Sequence, residues 1–232
     1  MIKNIILDIG NVLVRFMPDE SMRRLGIPDE KIPALLDATV YSPLWVELDR
    51  GVISETDVIN MMKEKTPELA KDIQSFYDEG KEYLVESFDY SFDWINSFKR
   101  KGYKVYLLSN YPVSYFENHI RNNRFSFLNT NDDTINSIIN TTSDTTNNDI
   151  ISTSINSIID GKIVSGYVKM VKPDHDIYEL LLSTYKLNAD ECVFLDDRME
   201  NVEAAREVGM HALRFTDIEE TEHRLTPLLQ KP

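Results

Sequence analysis

Five short apolar runs spaced along the chain set the frame for what it can fold into. They are Ile5–Leu7, Val105–Leu108, Ile163–Val164, Val193–Leu195 and His211–Phe215. Each is too short for a helix, and β-branched residues recur in them, so each reads as a buried strand. Helical patterns lie between the runs. Asp93–Phe98 precedes a Lys101-Gly102 stop, Asp174–Tyr185 starts just after Pro173, and Asn201–Val208 ends at Gly209, a residue suited to the position after a helix. Alternating strands and helices build βαβ units, whose right-handed crossovers wind a parallel sheet with helices on both faces. The expected fold class is α/β, a Rossmann-like doubly wound parallel sheet.

Residues 17–87 break that rhythm. They offer helix after helix, at Pro28–Asp37, Ser54–Lys65 and Glu68–Ser87, with no convincing strand. Ser54-Glu55-Thr56-Asp57 resembles an N-terminal capping box. The expected organisation is a core of residues 1–16 and 88–232 with a small all-helical cap domain at 17–87. A third feature is compositional. From Asn129 to Ile158 every residue is Asn, Thr, Ser, Asp or Ile, and Ile-Asn-Ser-Ile-Ile occurs at Ile135–Ile139 and again at Ile155–Ile159. Such a stretch buries little and reads as a low-complexity surface insertion within the core, although its isoleucines leave a small β-prone excursion open. It falls in a helix-to-strand connection, which a parallel sheet places at the amino ends of its strands, away from the ligand crevice.

Charge narrows the partners. Thirty-nine acidic against twenty-five basic residues give −14, which repels nucleic acid and anionic lipid. No apolar run approaches the roughly 20 residues of a membrane span, and Met-Ile-Lys-Asn runs into a strand without a signal-peptide layout. The single cysteine, Cys192, allows no intrachain disulfide and reads as core packing. A cytoplasmic home is expected. His119, His175, His211 and His223 show no ligand spacing and read as surface or helix-end residues, and Trp45 reads as cap core. The sequence assigns no oligomeric state.

Polar chemistry gathers where the strands finish. Ile5–Leu7 ends in Asp8, Val105–Leu108 in Ser109-Asn110, and Val193–Leu195 in Asp196-Asp197, while Lys172-Pro173 follows the short third strand. Carboxyl ends of parallel strands converge on one crevice. Three carboxylates gathered there repel one another unless a cation sits among them, and all-oxygen surroundings favour a hard ion, Mg2+ before zinc. Lys172 is a point charge suited to phosphate, with Ser109 and Asn110 as hydrogen-bond donors.

These segments carry a resemblance. Ile-Ile-Leu-Asp8-Ile-Gly10-Asn-Val, Leu-Leu-Ser109-Asn110, Met-Val-Lys172-Pro173-Asp174 and Phe-Leu-Asp196-Asp197-Arg-Met-Glu-Asn201 look like the four ordered motifs of the haloacid dehalogenase superfamily. Trp45-Val-Glu-Leu-Asp49-Arg50-Gly51-Val-Ile-Ser54 resembles the cap of sugar-phosphate phosphatases such as the bacterial glucose-1-phosphate phosphatases. The resemblance implies a Mg2+-dependent phosphatase acting on a small phosphorylated metabolite, sugar phosphates first. It implies that Asp8 attacks phosphorus and forms an aspartyl-phosphate, and that the Gly10 carbonyl joins Asp8, Asp196 and Asp197 around the metal. The amides of Ile9 and Gly10 would face the phosphoryl group, Ser109, Asn110 and Lys172 would bind it, and Asn201 would orient the acidic pair.

Gly10 departs from the phosphatase pattern, in which a second aspartate protonates the leaving oxygen. The sequence therefore points to an activated phosphate, or to a cap acid such as Glu47 or Asp49 in that role. Two rivals remain at this stage. A 2-haloacid dehalogenase also lacks the second aspartate, but it needs no metal, and the Asp196-Asp197 pair favours the phosphatase. A catalytically silent binding protein that kept the fold is the other.

Overall fold

The computed structural model describes residues 1–128 and 158–230. Apart from Ile158, the Asn129–Ile158 insertion lies outside the described residues. All five apolar runs form strands: β1 (Asn4–Leu7), β4 (Lys104–Ser109), β5 (Gly161–Val164), β6 (Cys192–Asp196) and β7 (His211–Arg214). They make one parallel sheet in the order β5-β4-β1-β6-β7. β1 sits at the centre, with Leu7 in register with Leu107 on one side and Leu195 on the other. The chain builds outward from β1 in one direction and then returns to build in the other. This order makes the carboxyl end of β1 the switch point where a crevice opens.

Alternation along the strands splits the core into two layers. Ile5, Leu7, Val105, Leu107, Val193 and Leu195 face α6 (Ser91–Arg100) and α11 (Ile218–Leu229). Ile6, Tyr106, Leu108 and Phe194 face α9 (His175–Tyr185) and α10 (Met199–Glu207). Burial on both faces explains why the strands read as unbroken apolar runs. Cys192 is buried in the second layer.

One sequence reading needs correction. Val14–Phe16 and Val85–Ser87 form strands β2 and β3, an antiparallel pair in which Val14 faces Ser87 and Phe16 faces Val85. The helix expected over Glu68–Ser87 is α5, Ala70–Asp78, followed by a 3-10 turn at Gly80–Tyr83. Gly80 stops the helix where the chain presses on α1 (Pro18–Arg24). A Cβ there would stand 2.8 Å from Ser21 Oγ, and the Ser21 hydroxyl donates to the Gly80 carbonyl at 2.7 Å. Between β2 and β3 the chain is otherwise helical, with α2 (Ile32–Ala38), α3 (Pro43–Arg50) and α4 (Glu55–Lys65) completing the set. Ser54 caps α4 by accepting from the Asp57 amide. Leu44, Leu48, Val58, Met62, Ile73 and Phe76 continue the first core layer into these helices. The segment between β2 and β3 thus shares one apolar core with the sheet.

α3 is fastened over the carboxyl ends of the strands. The Ser165 hydroxyl, at the start of the short α8 (Ser165–Val168), donates to the Asp49 carbonyl at 2.7 Å and accepts from the Tyr111 amide at 2.8 Å. Lys169 Nζ donates to the Gly51 carbonyl, and Arg50 pairs with Asp174 at 3.1 Å. α7 (Val113–Arg121) adds a contact from Ser114 Oγ to Glu55 at 2.6 Å. Among the described residues no helix is long and apolar enough to cross a membrane.

Candidate active site

The crevice is built at the ends of β1, β4 and β6. A cavity of about 560 Å3 opens there, lined by Asp8, Gly10, Ser109, Asn110, Lys172 and Asp197, and it continues upward to Trp45 and Asp49 of α3. Of the residues singled out from the sequence, the strand ends thus bring Asp8, Gly10, Ser109, Asn110, Lys172, Asp196 and Asp197 to one place. Glu47 is half-buried and paired with Arg50, outside the cavity lining.

Lys172 is the hub. Its side chain is 1% exposed, and Nζ contacts Asp196 Oδ2 at 2.6 Å, Asp8 Oδ1 at 2.9 Å and the Leu108 carbonyl at 2.9 Å. It also stands 5.3 Å from the centre of the Phe194 ring. Burial alone would lower its pKa, but Asp196 and Asp8 together hold it above the ordinary lysine value, so it is a fixed ammonium. The Asn110 side chain is bonded to the Lys172 backbone. Its Oδ1 accepts from the Lys172 amide at 2.8 Å and its Nδ2 donates to the Lys172 carbonyl at 2.9 Å. It clamps the backbone that carries the lysine. Ser109 is almost fully buried, and its hydroxyl has no partner among the described residues.

Asp196 is fully buried and held by several hydrogen bonds. Oδ1 accepts from the Arg198 amide and Asn201 Nδ2, both at 2.9 Å, and Oδ2 accepts from Lys172 and, at 3.0 Å, from Asn201. Asn201 therefore orients Asp196 from the first turn of α10. Asp197 accepts one bond, from Asn11 Nδ2 to Oδ2 at 3.0 Å. Asn11 has φ 53°, a left-handed conformation that asparagine tolerates better than most residues, and its Oδ1 takes the Phe16 amide. The sequence reading passed over Asn11, although it directly follows Gly10 in the first motif.

Asp8 is the least comfortable of the three. Its pKa is pushed up to about 7, first by burial and then by Asp196 and Asp197, with Lys172 opposing. Its buried Oδ1 has the Lys172 ammonium, at 2.9 Å, as its close partner. Carboxylate oxygens of Asp8, Asp196 and Asp197 lie within 4.8 Å of one another. Burial, before the other influences, also raises the Asp197 pKa. Three clustered carboxylates against one ammonium form an all-oxygen, negatively charged donor set that fits a hard divalent cation. The amides of Ile9 and Gly10 have no protein acceptor among the described residues.

Gly10 leaves room beside this cluster. Its φ is ordinary, and a Cβ built there meets nothing within 4 Å. Asp49 faces the same cavity from α3 and is 7% exposed. Burial, with a further push from Asp8, raises its pKa to about 8, against the opposing pull of Arg198 and Lys172. At neutral pH it is mainly a neutral carboxylic acid. Three tyrosines, Tyr77, Tyr111 and Tyr115, also feel its charge, and burial raises the pKa of each.

His119 lies in the last turn of α7, a helix end as expected, but not at the surface. It is fully buried, its pKa is lowered to about 4 by burial, and it bridges the Tyr111 hydroxyl to the Lys81 carbonyl. A carbonyl can only accept, so Nε2 carries the proton and Nδ1 accepts from Tyr111.

A family model described as haloacid dehalogenase-like hydrolase matches residues 2–209. The chain is 24% identical to the drimenol cyclase of Aspergillus calidoustus over 100% of its own length, but spans only 37% of that protein. It is 24% identical to the sesquiterpene phosphatase of Aspergillus oryzae, covering 93% of this chain and 90% of that one. The D-ribitol-5-phosphate phosphatase of Bacteroides thetaiotaomicron is 22% identical, with 99% of both chains covered. Among solved structures, a haloacid dehalogenase-family enzyme of Bacteroides thetaiotaomicron in complex with magnesium and inorganic phosphate aligns with a TM-score of 0.64 at 20% identity, covering 97% of this chain and 99% of that one. The L-2-haloacid dehalogenase of Xanthobacter autotrophicus aligns at 0.58 and 13% identity, over 100% of this chain and 84% of that one. Both likenesses concern the fold alone.

Proposed function

Since this chain belongs to the haloacid dehalogenase-like hydrolases, we propose that it is a magnesium-dependent phosphoric monoester hydrolase acting on a small phosphorylated metabolite through Asp8. The observation that carries this reading is the cluster of Asp8, Asp196 and Asp197 around the Lys172 ammonium. A dehalogenase has no use for that concentration of carboxylate beside its nucleophile, whereas phosphoryl transfer needs positive charge gathered at its transition state. Phosphatase and magnesium-complex names among the relatives and structures point the same way. The helices between β2 and β3 act as the cap.

A divalent ion held by Asp8, the Gly10 carbonyl, Asp196 and Asp197 would neutralise the carboxylates and draw the phosphate oxygens toward Asp8. The chain's own groups then perform the transfer. Asn201 and Asn11 hold the acidic pair in place, and Asn110 fixes the Lys172 backbone. Lys172, the Ser109 hydroxyl and the amides of Ile9 and Gly10 stabilise the three outer oxygens of the phosphoryl group. Asp8 attacks phosphorus in line with the ester oxygen, giving an aspartyl-phosphate as the ester bond breaks. Asp49 gives its proton to the departing oxygen, in place of the side chain that Gly10 lacks. As a carboxylate it then takes a proton from water, which attacks the phosphoryl group and frees Asp8 and inorganic phosphate.

The test is an aryl phosphate assayed with and without Mg2+, for the wild type and Asp8→Asn. Turnover that needs both Mg2+ and Asp8 is expected. Absence of phosphate release from it and from a wider phosphate-ester panel would favour a silent binding protein, and metal-free halide release from a haloacid would favour a dehalogenase.

A further inference from the structure

We infer that the ester admitted to this cleft is the monophosphate of a hydrocarbon group rather than of a polyol. The inference rests on the phosphatase reading and narrows its substrate, reversing the preference for sugar phosphates drawn from the cap motif.

The cleft changes character with height. Its floor is charged, with Asp8, Lys172 and Asp197 at the strand ends. Its walls are Phe16, Val40, Trp45, Val46, Leu84 and Val85, among which only the Trp45 indole carries a polar side-chain atom. Trp45 packs with its ring centre 6.0 Å from Phe16 and 6.3 Å from Tyr115, so the aromatic surface is continuous.

The polar side chains interleaved with that surface are mostly engaged with the protein itself. Ser42 Oγ accepts from the Leu44 amide at 3.3 Å and caps α3. The Tyr111 hydroxyl is bonded to His119, whose other nitrogen is bonded to Lys81. What remains is the Trp45 indole N–H, the Tyr115 hydroxyl, buried without a partner, Asp49 beside the reacting oxygen, Tyr41, 68% exposed at the rim, and Arg198, whose guanidinium is paired with Glu200. A pentitol or hexose brings four or more hydroxyls that surrender water on entry. Each one left without a partner weakens binding roughly five- to a hundredfold.

A hydrocarbon meets the opposite situation. Each methylene moved from water onto these walls is worth about fourfold in binding. A cleft of about 560 Å3 is in the size range of sites that enclose small organic ligands. A second cavity of about 680 Å3 shares Asn11, Phe16 and Tyr41 with it but mixes Ile32, Pro33 and Leu36 with the charged Asp19, Arg23 and Asp29, so the apolar reach is that of the first cleft.

The experiment compares kcat/KM, with saturating Mg2+, for methyl, butyl, hexyl and octyl phosphate against a pentitol phosphate and a hexose phosphate. Nitrophenyl phosphate serves as the common control. The expected result is a rise of about two- to fourfold per methylene through hexyl phosphate, with hexyl phosphate ahead of both sugar phosphates by about tenfold or more. Val46→Asn should flatten the chain-length slope. A flat alkyl series, or sugar phosphates served as well as hexyl phosphate, would overturn the inference. If nitrophenyl phosphate is then still hydrolysed in an Asp8-dependent manner, the phosphatase reading stands. Failure on every ester, the aryl control included, overturns both.

Discussion

Asp49→Asn separates proton donation from everything else in the site. The residue is buried on α3, its backbone carbonyl is tied to Ser165, and its side chain has no hydrogen-bond partner to lose among the described residues, so asparagine fits with little rearrangement. With a pKa of about 8, roughly nine in ten molecules carry the proton at pH 7. General acid help is worth about 10²–10⁴-fold, and it matters most when the leaving oxygen is basic. An alkyl phosphate should therefore lose about 10²–10⁴-fold in kcat/KM, while nitrophenyl phosphate loses about tenfold or less. The wild-type rate on the alkyl ester should fall as pH rises through about 8, where Asp49 loses its proton. That alkaline limb should vanish in the asparagine variant. Gly10 has an ordinary φ and open space at Cβ, so Gly10→Asp placed in the Asp49→Asn background should restore part of the alkyl activity. Equal losses on both esters, or an alkyl rate within about threefold of wild type, would refute the assignment.

Other expectations follow from the same network. The Asp49 pKa is raised above its unfolded value, so its stabilising effect is present below about pH 4 and is lost as pH climbs to about 8. Asp49→Asn should accordingly raise Tm at pH 7 and flatten its dependence between those limits. Lys172→Met strands the buried carboxylates of Asp8 and Asp196, and metal-free denaturant unfolding should show a loss of about 3–5 kcal/mol. Asp8, with its pKa near 7, must release a proton to take a cation, so calorimetric Mg2+ affinity should weaken as pH falls below 7. Gly80→Ala, which crowds Ser21 Oγ, should lower stability by about 1–3 kcal/mol in the same unfolding assay.

Much of the architecture was legible because burial on both sheet faces forces continuous apolar runs. All five core strands were placed within two residues of their bounds at each end, and the polar residues closing three of the runs marked the crevice. The β2–β3 pair was not legible. Val14-Arg15-Phe16 and Val85-Glu86-Ser87 are three residues each, and their pairing depends on a partner about seventy residues away in sequence, which no local period records. The division of labour inside the site was hidden for a related reason. That Asn110 clamps Lys172, that Asn11 reaches Asp197, and that His119 is buried behind Tyr111 are consequences of three-dimensional packing. Composition could not show them. The apolar wall above the charged floor is the clearest case, since Phe16, Trp45 and Leu84 come from three separate stretches of the chain.

The most direct test of the account is to find where the phosphoryl group goes. Protein acid-quenched during turnover of nitrophenyl phosphate with Mg2+ would be digested and read by mass spectrometry. A phosphoryl adduct on the peptide carrying Asp8, absent from Asp8→Asn together with turnover, is the expected result. Continued turnover by Asp8→Asn, or an adduct on any other residue, would contradict it.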